Sequence, residues 1–244
     1  YEKDHGETYP IGEEIAHQEA SQPPLYYLLA STLVRLIDTS DFAEHAHLNP
    51  QAAPGLPYSD GNKNMVVPMP APFPWRGTVL TVHVVRGLSQ ILGLITVLCA
   101  YALGRRLWRS PADGALPIMT AAVVAFNPQF LFISSAINND NMMTALASVA
   151  LVLVISLSAA SGVPSYRRVI ALGVLAGLSA LSKLTGVFLA GFILLALIAM
   201  ALRARRTSPP RAWATRIVVF GVTTTLVAGW WYLRNAVLYG DATG

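Results

Sequence analysis

The chain has 244 residues, of which 54% are hydrophobic and only 12% charged, with a mean hydropathy of +0.49. That balance excludes an ordinary soluble enzyme, a nucleic-acid-binding module and a disulfide-stapled secreted domain. The formal charge of +4 identifies no anionic partner, because membrane proteins gather Lys and Arg on cytoplasmic loops for reasons of insertion alone.

In chain order, residues Tyr1 to Ser21 are polar and acidic, with Glu2, Asp4, Glu7, Glu13, Glu14 and Glu19. Pro23-Pro24 then opens a helical run at about 23–37, prolines being well placed where a helix does not need their missing N–H. The run is too short to span comfortably and carries Arg35, so it is expected to lie at the interface as a juxtamembrane helix. From Asp38 to Gly77 the chain has no regular period and many turn residues (Asn49-Pro50, Pro54-Gly55, Pro68 to Pro74), the signature of an ordered external loop. Phe73 and Trp75 suit the headgroup level.

Six apolar segments follow, at Thr81 to Leu103, Ala115 to Ser135, Met142 to Ala160, Val169 to Leu181, Leu184 to Leu202 and Ile217 to Leu233. The fourth and fifth are separated only by Ser182-Lys183 and could form one helix. At about 1.5 Å per residue that helix would be roughly 51 Å long against a hydrocarbon core of about 30 Å, so two spans are preferred. Gly173-x-x-x-Gly177 lies in the fourth segment and is read as a close-packing face. The fold class expected is all-α, a polytopic bundle of about six spans over 81–233. An external loop at 1–80 carries the juxtamembrane helix, and 234–244 begins the next external loop.

Charge supports this topology. The loops Gly104 to Pro117, Ser161 to Arg168 and Arg203 to Arg216 hold ten of the 17 basic residues and one of the 13 acidic ones, Asp113. They are assigned to the cytoplasm, with both ends of the chain outside. Cys99, the one cysteine, lies in an apolar run, so no intrachain disulfide forms. The chain begins at Tyr1 without Met and stops at Gly244 just after a polar motif. It is read as an internal fragment of a longer protein.

Polar groups at the outer helix ends are the candidates for chemistry, because an ionisable group at membrane depth is costly. Gln22, Tyr26 and Tyr27 sit at a proline-started helix, whose free N–H groups suit a phosphate or sugar hydroxyl; they read equally as a cap with interfacial tyrosines. Asn138, Asn139, Asp140 and Asn141 form either a capped turn or a site where Asp140 meets a divalent cation or hydrogen-bonds a sugar or phosphate-bearing substrate. Lys183 either snorkels to the interface or neutralises a lipid phosphate. Arg234 with Asn235, beyond Trp230-Trp231-Tyr232, forms an aromatic belt or a phosphate fork, and Arg86 is a second cation for that work. His45 and His47 read as a solvated pair. P-loop, H-E-x-x-H and G-x-S-x-G motifs are absent from the sequence.

The ordered series Gln22-Pro23-Pro24-Leu25-Tyr26-Tyr27, Arg86-Gly87-Leu88-Ser89, Leu103-Gly104-Arg105-Arg106-Leu107, Asn138-Asn139-Asp140, Ser182-Lys183-Leu184-Thr185-Gly186, Trp231-Tyr232-Leu233-Arg234-Asn235 and Tyr239-Gly240-Asp241 resembles the GT-C glycosyltransferases. Within them it is most similar to the protein mannosyltransferase-like branch that includes the aminoarabinose transferases of lipid A. The resemblance implies an enzyme of the cell envelope, in a bacterial or archaeal plasma membrane. Such an enzyme moves a hexose or pentose from a polyprenyl-phosphate carrier to a protein, lipid or glycan acceptor on the outer face, as in protein glycosylation. No nucleic-acid partner is expected. The resemblance requires no cofactor; it leaves room for a divalent cation, with Asp140 either as its ligand or as the group that orients the acceptor.

Gln22 occupies the position of the family's His. The resemblance also implies that an Asp-Glu pair at the start of the first external loop supplies the catalytic carboxylate. This sequence contains no Asp-Glu pair, and it is expected to precede Tyr1; were it replaced instead, the chain would be an inactive homologue. Asp140 matches the family's second external-loop acid, with Lys183, Arg86 and Arg234 as partners of the carrier phosphate. The alternatives are a transporter or flippase of a lipid-linked glycan, which calls for broken helices and related halves that the sequence does not display, and a noncatalytic envelope scaffold.

Overall fold

The computed structural model describes residues 22–47, 49, 71–108, 114–160 and 162–243. The acidic opening segment with His5 and His17, the turn dipeptides Asn49-Pro50 and Pro54-Gly55, Pro68, Arg109, Asp113 and Ser161 lie wholly or partly outside those residues. The described residues are helices and connections, with no strand among them. They fall into two compact units, one within 31–85 and the other comprising 22–30 and 86–244.

In the smaller unit a four-residue helix, Phe42–His45, follows Asp41. The Asp41 carboxylate accepts from the backbone N–H of Thr78 at 2.9 Å and from its hydroxyl at 2.6 Å. It thereby satisfies free donors in the first turn of the helix Gly77–Leu107. These two hydrogen bonds, hydroxyl first, hold the Asp41 carboxyl below the usual carboxylate range. His45 lies 3.4 Å from the same carboxylate. Trp75 stacks on His83 with ring centroids 3.5 Å apart.

The larger unit is a helix bundle. Along the described chain as a whole, both units included, the helices in order are α1 (Leu25–Val34), α2 (Phe42–His45), α3 (Gly77–Leu107), α4 (Leu116–Ala125), α5 (Pro128–Ser134), α6 (Asp140–Ser158), α7 (Tyr166–Ser182), α8 (Gly186–Arg203) and α9 (Pro210–Tyr239). Helix α7 is the hub and packs against α6, α8 and α9. Val169, Leu172 and Ala176 of α7 are fully buried with Ile193 and Leu197 of α8, Ala150 of α6 and Phe220 of α9 in one apolar core. The glycine pair does what its spacing suggests. A Cβ on Gly173 would stand 2.7 Å from Thr223 Cβ, and one on Gly177 would stand 2.6 Å from Val227 Cβ. Bare backbone there lets α9 lie against α7, and the Thr224 hydroxyl reaches the Gly173 carbonyl at 3.3 Å.

Large apolar side chains remain exposed in stripes. Ile91, Leu94 and Leu98 run down one face of α3, and Val218, Val222, Leu226, Leu233 and Val237 down α9. Water does not tolerate apolar surface on that scale, whereas lipid does. The protein is an integral membrane protein.

The span count departs from the six expected. Four helices (α3, α6, α8 and α9) are long and apolar enough to cross, or five if α4 and α5 together make one broken span. Helix α7, the fourth expected segment, has 17 residues and is not among them. The expected single segment Ala115 to Ser135 is bent by 62° between α4 and α5. The cause is Asn127-Pro128: Pro128 starts α5 and has no N–H to continue α4, while the Asn127 side chain accepts from the Phe130 N–H at 3.1 Å as an N-cap. A broken helix is therefore present where none was expected. The 34 residues from Val169 to Leu202 are two helices, broken at Lys183, whose backbone is extended. Gly186 makes that hairpin feasible, because a Cβ there would collide with the Ser179 carbonyl. The helix expected at about 23–37 ends at Val34.

Candidate functional site

The break after α7 carries Lys183 as its C-cap, so the ammonium emerges where two helix ends meet. Helix α6 begins at Asp140, whose N–H is bonded at 2.8 Å by the Asn138 side chain, an Asx turn that fixes the start of the helix. Lys183 Nζ donates to Asp140 Oδ1 at 2.5 Å. The two side chains keep 31% and 38% of their surface exposed. An ion pair this open contributes about 0–1 kcal/mol to stability, so a ligand with more negative charge can take the ammonium at little cost.

The asparagines around Asp140 form its frame. Asn139, buried, donates to Gln22 Oε1 at 3.3 Å. Asn141, also buried, donates to the carbonyl of Ile133 at 2.9 Å and to those of Ala136 and Asn138 at 3.3 Å. It occupies acceptors that the end of α5 and the following turn leave open. The sequence places Asn141 in the same polar turn as Asn138, Asn139 and Asp140, but gives no sign that its side chain is the one that turns back onto three carbonyls.

Other expected residues reach the same end of the larger unit. Tyr26 is fully buried, its hydroxyl 2.8 Å from that of Ser89, a contact that seats α1 on α3. Tyr27 packs edge-on against the Tyr26 ring. Arg86, one turn before Ser89, is exposed. Leu25 packs with Leu181, Ala228, Trp231 and Tyr232, and the Tyr232 hydroxyl donates to the Ala180 carbonyl at 2.8 Å. These contacts bring the end of α9 to the end of α7. Arg234 lies over Trp231 at 5.1 Å and donates to the Asn235 side chain at 3.1 Å, with Asn235 itself buried. Lys183 and Asp140 are thus in direct contact and Gln22 joins them through Asn139, whereas no contact joins Arg86 or Arg234 to that pair among the described residues.

Asp140 also lines an open cleft of about 580 Å³, together with Val123, Val124, Asn127, Phe130, Ile133 and, among polar groups, Gln129 and Thr144. The bend between α4 and α5 creates this space. Sequence reasoning did not find Asn127, Gln129 or Thr144; the Asn-Pro step inside an apolar run was their signal. The wall is mixed, with apolar surface beside a carboxylate, two amides and a hydroxyl, and it fits a ligand that is polar at one end. No group of three His, Cys, Asp or Glu that could hold a metal ion gathers among the described residues, and Asp140 is the carboxylate that lines this cleft.

No curated protein and no solved structure matches this chain. A family model described as dolichyl-phosphate-mannose-protein mannosyltransferase matches residues 73–231. That stretch runs through α3 to α9, well over half the chain, and includes Asp140 and Lys183. The chain therefore belongs to the dolichyl-phosphate-mannose-protein mannosyltransferase family, membrane glycosyltransferases of the GT-C type.

Proposed function

We propose that this glycosyltransferase takes its sugar from a polyprenyl-phosphate carrier and passes it to an acceptor on the outer face of the membrane, with Lys183 and Asp140 at the point of transfer. In that reaction an acceptor oxygen attacks the anomeric carbon, the bond from that carbon to the phosphate oxygen breaks, and the polyprenyl phosphate departs with the bonding pair. Lys183 stabilises the phosphate as its charge rises. Asp140, released by the ammonium, accepts a hydrogen bond from a hydroxyl of sugar or acceptor in the cleft. The acceptor's proton goes to a carboxylate base. Gln22 and Asn139 hold the loop start against this pair, while Arg86 and Arg234 supply positive charge at the same end of the bundle.

The observation that carries the reading is the direct contact between Lys183 and Asp140, from helix ends 43 residues apart, at the wall of a cleft of mixed polarity. The broken helix is a feature that transporters share, so the test separates the two classes. The full-length protein is reconstituted with polyprenyl phosphate mannose carrying labelled mannose, and both transfer of the label and passage of intact carrier across the bilayer are followed. Label moves to an acceptor, and Lys183→Gln lowers that rate by about 10²- to 10³-fold, the usual cost of losing one preorganised charge stabiliser. Passage of intact carrier without transfer would overturn the reading.

A further inference from the structure

At the other end of the larger unit, the turn between α6 and α7 encloses a pocket of about 300 Å³ lined by Leu157, Ala160, residues 162–165 and Arg168. Two neighbouring helices bring further arginines to this turn. Arg216 of α9 donates from Nε to the Pro164 carbonyl at 3.0 Å, and its guanidinium lies 3.5 Å over the Tyr166 ring. That posture is fixed, and its Nη groups make no hydrogen bond to the described residues. Arg106 of α3 donates to the Ser156 hydroxyl at 2.8 Å. Arg168 has no ion-pair or hydrogen-bond partner for its side chain among the described residues.

Helix direction collects the remaining arginines at this end, since α8 finishes and α9 begins where α7 begins. Arg105, Arg167, Arg203, Arg205, Arg206 and Arg211 lie at these helix ends. The described residues there include no Asp or Glu. A concave site lined by an unpaired guanidinium, with a second guanidinium held against the same turn, has the chemistry of a phosphate site. Its position at the ends of helices with lipid-facing stripes selects a phosphate that resides in the bilayer.

We infer that this pocket binds the phosphate of an anionic phospholipid headgroup, gripped by Arg168 and Arg216. The site lies at the helix ends opposite the Asp140–Lys183 pair, so the inference stands or falls independently of the transfer reaction. The test uses the full-length protein in phosphatidylcholine nanodiscs doped with phosphatidylglycerol, with lipid retention read by native mass spectrometry and thermal unfolding as a second readout. Phosphatidylglycerol is retained over phosphatidylcholine, and Arg168→Gln weakens that preference about fivefold, the worth of one arginine near an anionic headgroup. Arg205→Gln removes the same charge outside the pocket and changes the preference less than twofold. Both variants unfold at the wild-type temperature in pure phosphatidylcholine. Equal losses in the two variants would reduce the pocket to general surface charge and overturn the proposal. Stabilisation by inorganic phosphate equal to that by phosphatidylglycerol would overturn the assignment to lipid.

Discussion

Asn141 donates one side-chain amide toward three carbonyls and is buried while doing so. Removing the amide leaves those acceptors dry, so Asn141→Ala is expected to lower stability by about 1–3 kcal/mol, read by thermal unfolding in detergent. Because the same amide positions the turn before Asp140, transfer also falls at temperatures where the variant is fully folded. Asp41 acts at a distance of 37 residues by holding Thr78. Its folded pKa is depressed, so the stabilisation is complete above the usual carboxylate range and is lost as pH falls through the folded value. The protection of amides in the first turn of α3, taken relative to their intrinsic exchange rate at each pH, is therefore expected to fall on acidification in the wild type, and to be low and unresponsive to pH in Asp41→Ala. Asp140 and Lys183 stood out in the sequence because a charge between apolar runs is conspicuous. The partners of Asn138, Asn139 and Asn141 did not, because side-chain direction decides whether an amide meets a carbonyl, a neighbouring amide or a ligand.

Elements were legible where an apolar run was interrupted and illegible where it was not. Lys183 marked the hairpin between α7 and α8, and a length of roughly 51 Å decided against one helix. The bend between α4 and α5 hid inside an apolar run, where hydropathy is blind to Asn127 and Pro128; reading the N-cap and proline together would have found it. Helix α7 supplies the centre of the core from 17 residues, about 26 Å of helix, by being flanked on several sides. The hairpin is its critical joint. Gly186→Ala must push the Ser179 carbonyl aside and is expected to cost about 1–3 kcal/mol or more. Thermal unfolding measures that cost, and transfer falls with it because Lys183 lies in the displaced turn.

Across the molecule, charge is sorted into two levels. Arg86 and Arg105 are 19 residues apart on α3, and Arg216 and Arg234 are 18 apart on α9, separations of about 29 and 27 Å at helical rise. Both match a hydrocarbon core of about 30 Å. The arginine-rich level is expected to face the cytoplasm and the Asp140–Lys183 level the outside. In a Cys99→Ser background, Leu184→Cys is expected to react with an impermeant maleimide on intact cells and Thr207→Cys only after permeabilisation; labelling of both from one side would refute that orientation. The most direct trial of the site is a double-mutant cycle on sugar transfer from polyprenyl phosphate mannose, using Lys183→Gln, Asp140→Asn and the combined variant, each confirmed to be folded. If the two side chains act as one unit on the carrier phosphate and the acceptor, each single variant loses transfer heavily and the combination is about as slow as the worse single. Wild-type turnover in Lys183→Gln, or losses that simply multiply in the combination, would contradict it.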